Sequence, residues 1–238
     1  YQTIFFNNYR QLKKIKKLKI DYFINFATLY KNNHNYHEIS NFINSNILFP
    51  NLLYDLIHLK TKKIINFGTM MQHLDGKNYF SNNLYAATKN AFEMISNFYS
   101  QKEKKCKFYN LKFYESFGPN DNRNKLIPSM LENYKKNRVT KILSKKLELN
   151  VIHIDDIIKA INLLLKKNYK SGDYCLINSK NINIQKLISN INNKSKKKIK
   201  VKFLNKSVKK ITKTKIKKLP FWKADTKIIK KIETEFYK

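Results

Sequence analysis

The chain has 238 residues, 42% of them apolar and 13% aromatic, and a formal net charge of +33 at pH 7. This composition supplies a packed core and, with only 4 Gly and 4 Pro, excludes a collagen-like or loop-rich chain. The charge points first to a nucleic-acid partner, yet Arg, which base reading favours, stands only at Arg10, Arg123 and Arg138, so specific nucleic-acid binding is not expected. In chain order, residues 20–27 form a short apolar run that reads as a strand, and 37–59 reads as a helix. Residues 63–67 read as a second strand, closing at Gly68-Thr69. Residues 84–100 read as a helix with Phe92, Met94, Ile95 and Phe98 near helical period, and 108–113 as a third strand. This alternation predicts an α/β fold with a doubly wound, parallel, Rossmann-like sheet over residues 1–118.

From Pro119 the pattern changes. A helix is expected at 126–136, a strand at 147–154, and a helix at 157–166 capped by Asp155 or Asp156. A strand at 173–178, a helix at 184–192 and a strand at 199–204 follow, and Asp225 caps a last short helix. Residues 119–238 are thus expected to form a smaller C-terminal α/β substrate domain. Residues 194–218, with thirteen Lys and no acid, read as a flexible surface segment. Lys, Asn and Ile are high together along the whole chain, which reads as a codon bias that fills solvated faces with Lys.

Tyr85 and Lys89 stand four residues apart in Asn82-Asn83-Leu84-Tyr85-Ala86-Ala87-Thr88-Lys89 and share one helix face. An ammonium beside a phenol favours the phenolate. A Tyr brought down from about 10 towards working pH can give or take a proton. Thr69 closes a parallel strand, where open α/β sheets bind ligands, and its hydroxyl can hold a carbonyl or alcohol oxygen. Hydride transfer on C–OH and C=O groups needs this combination. The spacing alone is common in a chain rich in Tyr and Lys; the strand, turn and helix around it give it weight.

With these residues the chain resembles the extended short-chain dehydrogenase/reductase family, the NAD-dependent epimerases and dehydratases of nucleotide sugars. Asp21-Tyr22-Phe23-Ile24-Asn25-Phe26-Ala27-Thr28 is similar to the family's fourth strand, ending in Ala beside the cofactor. Ser45-Asn46-Ile47-Leu48-Phe49-Pro50 is similar to the helix that carries a structural or catalytic Asn. Leu111-Lys112-Phe113-Tyr114-Glu115-Ser116-Phe117-Gly118-Pro119 resembles the sixth strand and its turn, and Val151-Ile152-His153-Ile154-Asp155-Asp156 the strand and cap that open the last third. Gly68-Thr69-Met70-Met71-Gln72-His73 and the segment from Gly118 to Ile127 look most like the branch of CDP-abequose-type 4-ketoreductases.

The resemblance implies Thr69, Tyr85, Lys89 and Asn46 as catalytic residues. It implies Ala27, Tyr85, Lys89 and Phe113 at an NAD or NADP cofactor. Thr69, Glu115, Asn124, Leu126 and Ile127 would face a nucleotide-sugar substrate, the best-matched reaction being reduction of a CDP-deoxyhexose at C4. Reductase, epimerase and dehydratase share most of these residues and stay open here. A homodimer is implied as well. Glu115 stands where many relatives have Asn, and Glu148-Leu149-Asn150-Val151 lacks the Arg that relatives often place at the diphosphate.

Gly68, Gly76, Gly118 and Gly172 form no phosphate-binding cluster. In the family that loop lies on the first strand, and its helix end takes the pyrophosphate. The chain opens at Tyr1, near the family's third strand, so an incomplete form without the first strands is expected, its 20–27 strand left with an open edge. An inactive truncated member and a basic nucleic-acid binder are the alternatives. No run of about 18 apolar residues marks a membrane span, and no leader pattern opens the chain. Two isolated Cys and five scattered His show no metal-ligand spacing, so no metal and a reducing, cytoplasmic setting are expected.

Overall fold

The computed structural model describes residues 5, 8–73, 80–102, 104–208, 211, 214–225 and 227–237. In chain order its strands and α-helices are β1 (Tyr22–Asn25), α1 (Ile39–Ile43), α2 (Phe49–Ile57), β2 (Lys63–Thr69), α3 (Leu84–Lys102), β3 (Lys107–Phe113), β4 (Glu115–Phe117), α4 (Leu126–Lys135), β5 (Thr140–Ile142), β6 (Glu148–Leu149), β7 (Val151–His153), α5 (Ile154–Lys166), β8 (Gly172–Cys175), β9 (Ile182–Asn183), α6 (Ile184–Lys194), β10 (Val201–Phe203) and α7 (Ile228–Tyr237). A first compact unit takes Tyr1–Lys112, Ile161–Cys175 and Thr214–Lys217; a second takes Phe113–Ala160, Leu176–Lys213 and Lys218–Lys238. The chain leaves and re-enters each unit, so a single boundary at residue 118 does not describe it.

The first unit holds a sheet in the order β1-β2-β3-β8, with β1 parallel to β2 and β3 parallel to β8. Its middle strands carry apolar residues on both faces, as a sheet covered by helices requires. Ile64 and Ile65 of β2 are fully buried. Ile64 packs with Tyr54 and Ile57 of α2, Phe92 of α3 and Phe108 of β3. Tyr54 meets Phe92 edge-on at 5.2 Å and Phe108 at 4.7 Å.

Several boundaries differ from expectation. The strand expected at 20–27 is confined to Tyr22–Asn25, because the Asn25 side chain turns the backbone by accepting the Ala27 N–H at 3.1 Å. A 3-10 helix at Tyr9–Lys17, missed in the sequence, starts at the Asn8 cap, and Lys60 Nζ donates to the carbonyls of Ile15, Lys16 and Leu18 around its end. The helix expected at 37–59 is a composite of a 3-10 turn, α1, a π turn at Asn44–Leu48, and α2. Pro50 has no N–H to return to residue 46, and Phe49 N–H bonds instead to Asn44, five residues back.

Lys63 sits in β2 yet is buried. Its Nζ donates to the carbonyls of Leu164, Leu165 and Lys167, at 2.9, 2.8 and 3.0 Å, where α5 ends. A cation there meets the negative end of the helix dipole and satisfies its last carbonyls. Lys63→Met should therefore cost about 1–3 kcal/mol in urea unfolding of the full-length protein. A midpoint equal to that of the wild type would show that water replaces the ammonium without loss.

The second unit has its own core, built on Phe117, Ile127, Met130, Val151, Leu187 and Ile232. β4 pairs β7 and β5 pairs β10, both parallel, while β6 pairs β9 antiparallel. The strand expected at 147–154 is split at Asn150. That side chain donates to the Asn178 carbonyl at 3.0 Å and accepts the Asn178 N–H at 2.9 Å, so the two halves take different partners. Ile154 starts α5 rather than ending the strand, with Asp155 and Asp156 in its first turn. Asp156 is buried and accepts the Asp225 N–H at 3.1 Å, and its carbonyl takes the Trp222 indole N–H at 2.8 Å. The Lys-rich run is not wholly a loose segment. Ile199 is buried, and β10 within the run pairs with β5, a strand that periodicity did not reveal.

Candidate active site

The site grows from the inner face of α3. Tyr85, Lys89, Phe92, Glu93 and Ser96 are buried there, spaced as one helix face demands. Asn83 accepts the Ala86 N–H at 2.9 Å and so caps the start of the helix. The Tyr85 ring meets Tyr30 edge-on at 5.0 Å. Lys89 Nζ stands 6.0 Å from the Tyr85 ring centroid. Lys89 is only 4% exposed. Burial lowers its pKa to about 8.

Thr69 ends β2 and is buried. Its hydroxyl oxygen accepts the Met71 N–H at 3.2 Å, and its own N–H donates to Gln72 Oε1 at 2.8 Å. Asn46 lies in the π turn, 1% exposed. It accepts from Leu29 N–H (2.7 Å) and Thr28 hydroxyl (3.2 Å) and donates to Leu29 carbonyl and Thr88 hydroxyl (both 3.0 Å). Asn46 thus ties the segment after β1 to the helix that bears Tyr85 and Lys89. Ala27 lies in that segment, and with Tyr9, Thr28, Leu29, Ser45 and Phe49 it lines a pocket of about 360 Å³. Phe113 ends β3, half-buried.

Glu115, Asn124, Leu126 and Ile127 belong to the second unit. Glu115 pairs with Lys125 at 3.0 Å, and Asn124 accepts the Ser129 hydroxyl at 3.3 Å. Leu126 packs against the unit's core, and Ile127 is part of it, 4% exposed. Gly118 closes β4 where a Cβ would come within 2.8 Å of Ile154.

Behind the Tyr-Lys face lies a polar cluster that motif reading missed. Lys112 of β3 is fully buried, and its Nζ donates to Glu93 at 2.7 Å, Asp173 at 3.0 Å and His73 Nε2 at 2.9 Å. An amide ladder feeds it across the sheet: Asn25 donates to Asn66 (3.0 Å), Asn66 to Asn110 (3.1 Å) and Asn110 to Asp173 (3.0 Å). Two signals were available. Asn25, Asn66, Asn110 and Lys112 interrupt otherwise apolar strands, and Glu93 follows Tyr85 and Lys89 at another four-residue step.

Parallel strands with flanking helices define an α/β Rossmann-like fold, and a buried Tyr-Lys pair stands on the helix after β2. The family model for the NAD dependent epimerase/dehydratase family matches residues 6–178, and the chain belongs to that family. It is 28% identical over 170 residues to a CDP-abequose synthase of Salmonella muenchen, covering 70% of this chain and 57% of that protein. A CDP-abequose synthase of Yersinia pseudotuberculosis is 26% identical over 160 residues, covering 66% of this chain and 55% of that one. The chain therefore spans little more than half the length of these curated relatives. Among solved structures, MoeE5 in complex with UDP-glucose and NAD superposes with a TM-score of 0.82 at 13% identity, covering 95% of this chain and 81% of that one. UDP-glucuronic acid 4-epimerase from Bacillus cereus in complex with NAD gives 0.80 at 18% identity, covering 95% and 76%. Among the described residues no helix is long and apolar enough to cross a membrane, and no group of three His, Cys, Asp or Glu could hold a metal ion.

Proposed function

We propose that the protein is an NAD- or NADP-dependent oxidoreductase of nucleotide sugars, and specifically a 4-ketoreductase of a CDP-linked deoxyhexose. The single observation that carries the reading is Lys89. Burying an ammonium costs stability, and such costs concentrate at functional sites. Its position beside Tyr85 suits the hydroxyls of a nicotinamide ribose. Ala27, at its pocket, and Phe113 would flank the same group. The cofactor, when bound, supplies the hydride.

The chain's own residues handle the oxygen. Thr69 hydrogen-bonds the reacting carbonyl oxygen. Tyr85 delivers its proton to that oxygen as it becomes an alkoxide, and the Lys89 charge stabilises the phenolate left behind. Asn46 holds α3 against the segment that carries Ala27. On the sugar-nucleotide side we assign Glu115, Asn124 and Leu126; Ile127, packed in the core, acts by placing the start of α4. The choice of CDP rests on the names of the two relatives above. A reducing, cytoplasmic setting fits Cys106 and Cys175, both buried thiols.

Lys89→Met tests the reading twice. The folded pKa lies below the ordinary lysine value, so the unfolded chain binds more protons between about pH 8 and 10.5, and wild-type stability rises with pH through that window. The Met variant should lose this rise and be more stable than wild type at pH 7, by about 3 kcal/mol. It should also lose most turnover of a CDP-4-keto sugar in the full-length protein. A variant no more stable at pH 7, or as active as the wild type, removes Lys89 from the site.

The homodimer rests on the opposite face of α3. Ala87, Met94 and Phe98 are exposed there at helical spacing, Met94 by 60% and Phe98 by 49%. An apolar stripe of this kind is the usual signature of a covered face. Sedimentation of the full-length protein should show a dimer that Met94→Glu with Phe98→Glu converts to monomer. A wild-type monomer at micromolar concentration would end the proposal.

A further inference from the structure

The Lys112 cluster is used by no step above, yet Glu93 stands where the parts of the site meet. It shares the inner face of α3 with Tyr85 and Lys89. Its Oε2 accepts from Gln72 Nε2 at 2.8 Å, and Gln72 Oε1 in turn accepts the Thr69 N–H at 2.8 Å. The same Gln72 amide donates to Asn90 of α3 at 2.6 Å. Oε1 of Glu93 accepts from Lys112 at 2.7 Å, and Lys112 is anchored on Asp173. One carboxyl thus joins the end of β2, the inner face of α3, and β3 with β8 behind them. Space around it is tight: a Cβ on Gly68 would lie 2.7 Å from Gln72 Oε1 and 3.0 Å from Lys112 Cγ.

We propose that Glu93 is a positioning residue, clamped by Gln72, Lys112 and Asp173, that fixes the rotation of α3 and so where Tyr85, Lys89 and Thr69 point. The inference rests on the reading above for its effect on turnover, but not for its effect on geometry. Among the described residues the charged or titratable groups facing Glu93 are Lys112 from β3, Asp173 from β8 and, across Lys112, His73 from the turn after β2. Burial, and then the hydrogen bond to Asp173, push the Glu93 carboxyl up to about 7, with the Lys112 charge opposing them. Burial also raises Asp173, but the hydrogen bond from Glu93, the Lys112 charge and the Asn110 amide outweigh it and keep Asp173 the anion. The amide ladder points every donor towards Asp173, so of the two acids Glu93 holds its proton the more tightly.

The test reads Lys89 and Glu93 directly, by the pH dependence of Lys89 Cε and Glu93 Cδ chemical shifts in the full-length protein. Wild type should show Glu93 titrating at least tenfold in proton affinity above an ordinary glutamate, and Lys89 at least tenfold below an ordinary lysine. Glu93→Gln, which copies the protonated carboxyl, should leave Lys89 where it is. Glu93→Ala should let α3 turn, admit water and return Lys89 most of the way to the ordinary lysine value. An ordinary Glu93 titration in wild type, or an unmoved Lys89 in a folded Glu93→Ala, overturns the proposal; if the Ala variant fails to fold, the wild-type Glu93 titration decides alone. With a CDP-4-keto sugar, Glu93→Ala should lower kcat more than it raises KM. Lack of turnover by the wild type itself would count against the proposed reaction while leaving the Lys89 result to judge Glu93.

Discussion

Tyr85→Phe should lower kcat of the full-length protein by about 10²–10⁴-fold and leave the fold intact. The change removes one hydroxyl and keeps the ring, so its edge-on contact with Tyr30 at 5.0 Å survives. The proton that quenches the developing alkoxide is lost. KM should move little, because the phenol acts on the transition state more than on bound substrate. Single-turnover reduction of a CDP-4-keto sugar, with circular dichroism as the folding check, decides it. Turnover near wild type in a folded variant would eliminate Tyr85 as the donor. Thr69 accepts the Met71 N–H through its hydroxyl oxygen, and a Thr hydroxyl is too weak an acid to substitute for the phenol.

Lys112→Met should cost the most stability of any single change considered. Lys112 is fully buried and is the cation between Glu93 and Asp173. Removing one member of a buried ion cluster typically costs about 3–5 kcal/mol, since the remaining charge has no compensation. The loss should grow as pH rises. Glu93 has its folded pKa raised, so the stability it contributes is complete below the ordinary glutamate range and lost as pH climbs through about 7. Without Lys112 the carboxyl is harder still to ionise, which widens that loss. Urea unfolding at about pH 5 and pH 8 should therefore show a larger deficit at the higher pH. Adding Glu93→Gln should recover part of it, because a neutral amide no longer places two acids side by side. Equal deficits at both pH values would mean that the carboxyls do not ionise in the folded state, and the assigned coupling would fall.

Much of the first unit was legible from residues alone. The apolar runs at Ile64-Ile65 and Phe108-Tyr109 had to be strands in a covered sheet, and the Phe92, Ile95 periodicity had to be a helix. Tyr85 and Lys89 sit on the inner face of α3 because four-residue spacing permits little else. What periodicity could not show was how elements end and whom they meet. The π turn at Asn44–Leu48 depends on Pro50 together with the four hydrogen bonds of Asn46. β10 lies within the strand expected at 199–204, whereas β5 was hard to see because it has three residues and only Ile142 among them is apolar. The split at Asn150 follows from its pairing with Asn178, twenty-eight positions away, which no local pattern encodes.

The sequence by itself determined the α/β order and the family, and it put forward Thr69, Tyr85 and Lys89 as candidates, because motif spacing and alternation are local properties of the chain. Only the tertiary structure decided that Lys89 is buried, and that Glu93, Lys112, Asp173 and His73 share one buried cluster. Those groups come from α3, β3, β8 and the turn after β2. Their meeting depends on strand order and register, and the cost or benefit of each charge depends on how much water the packed sheet end excludes.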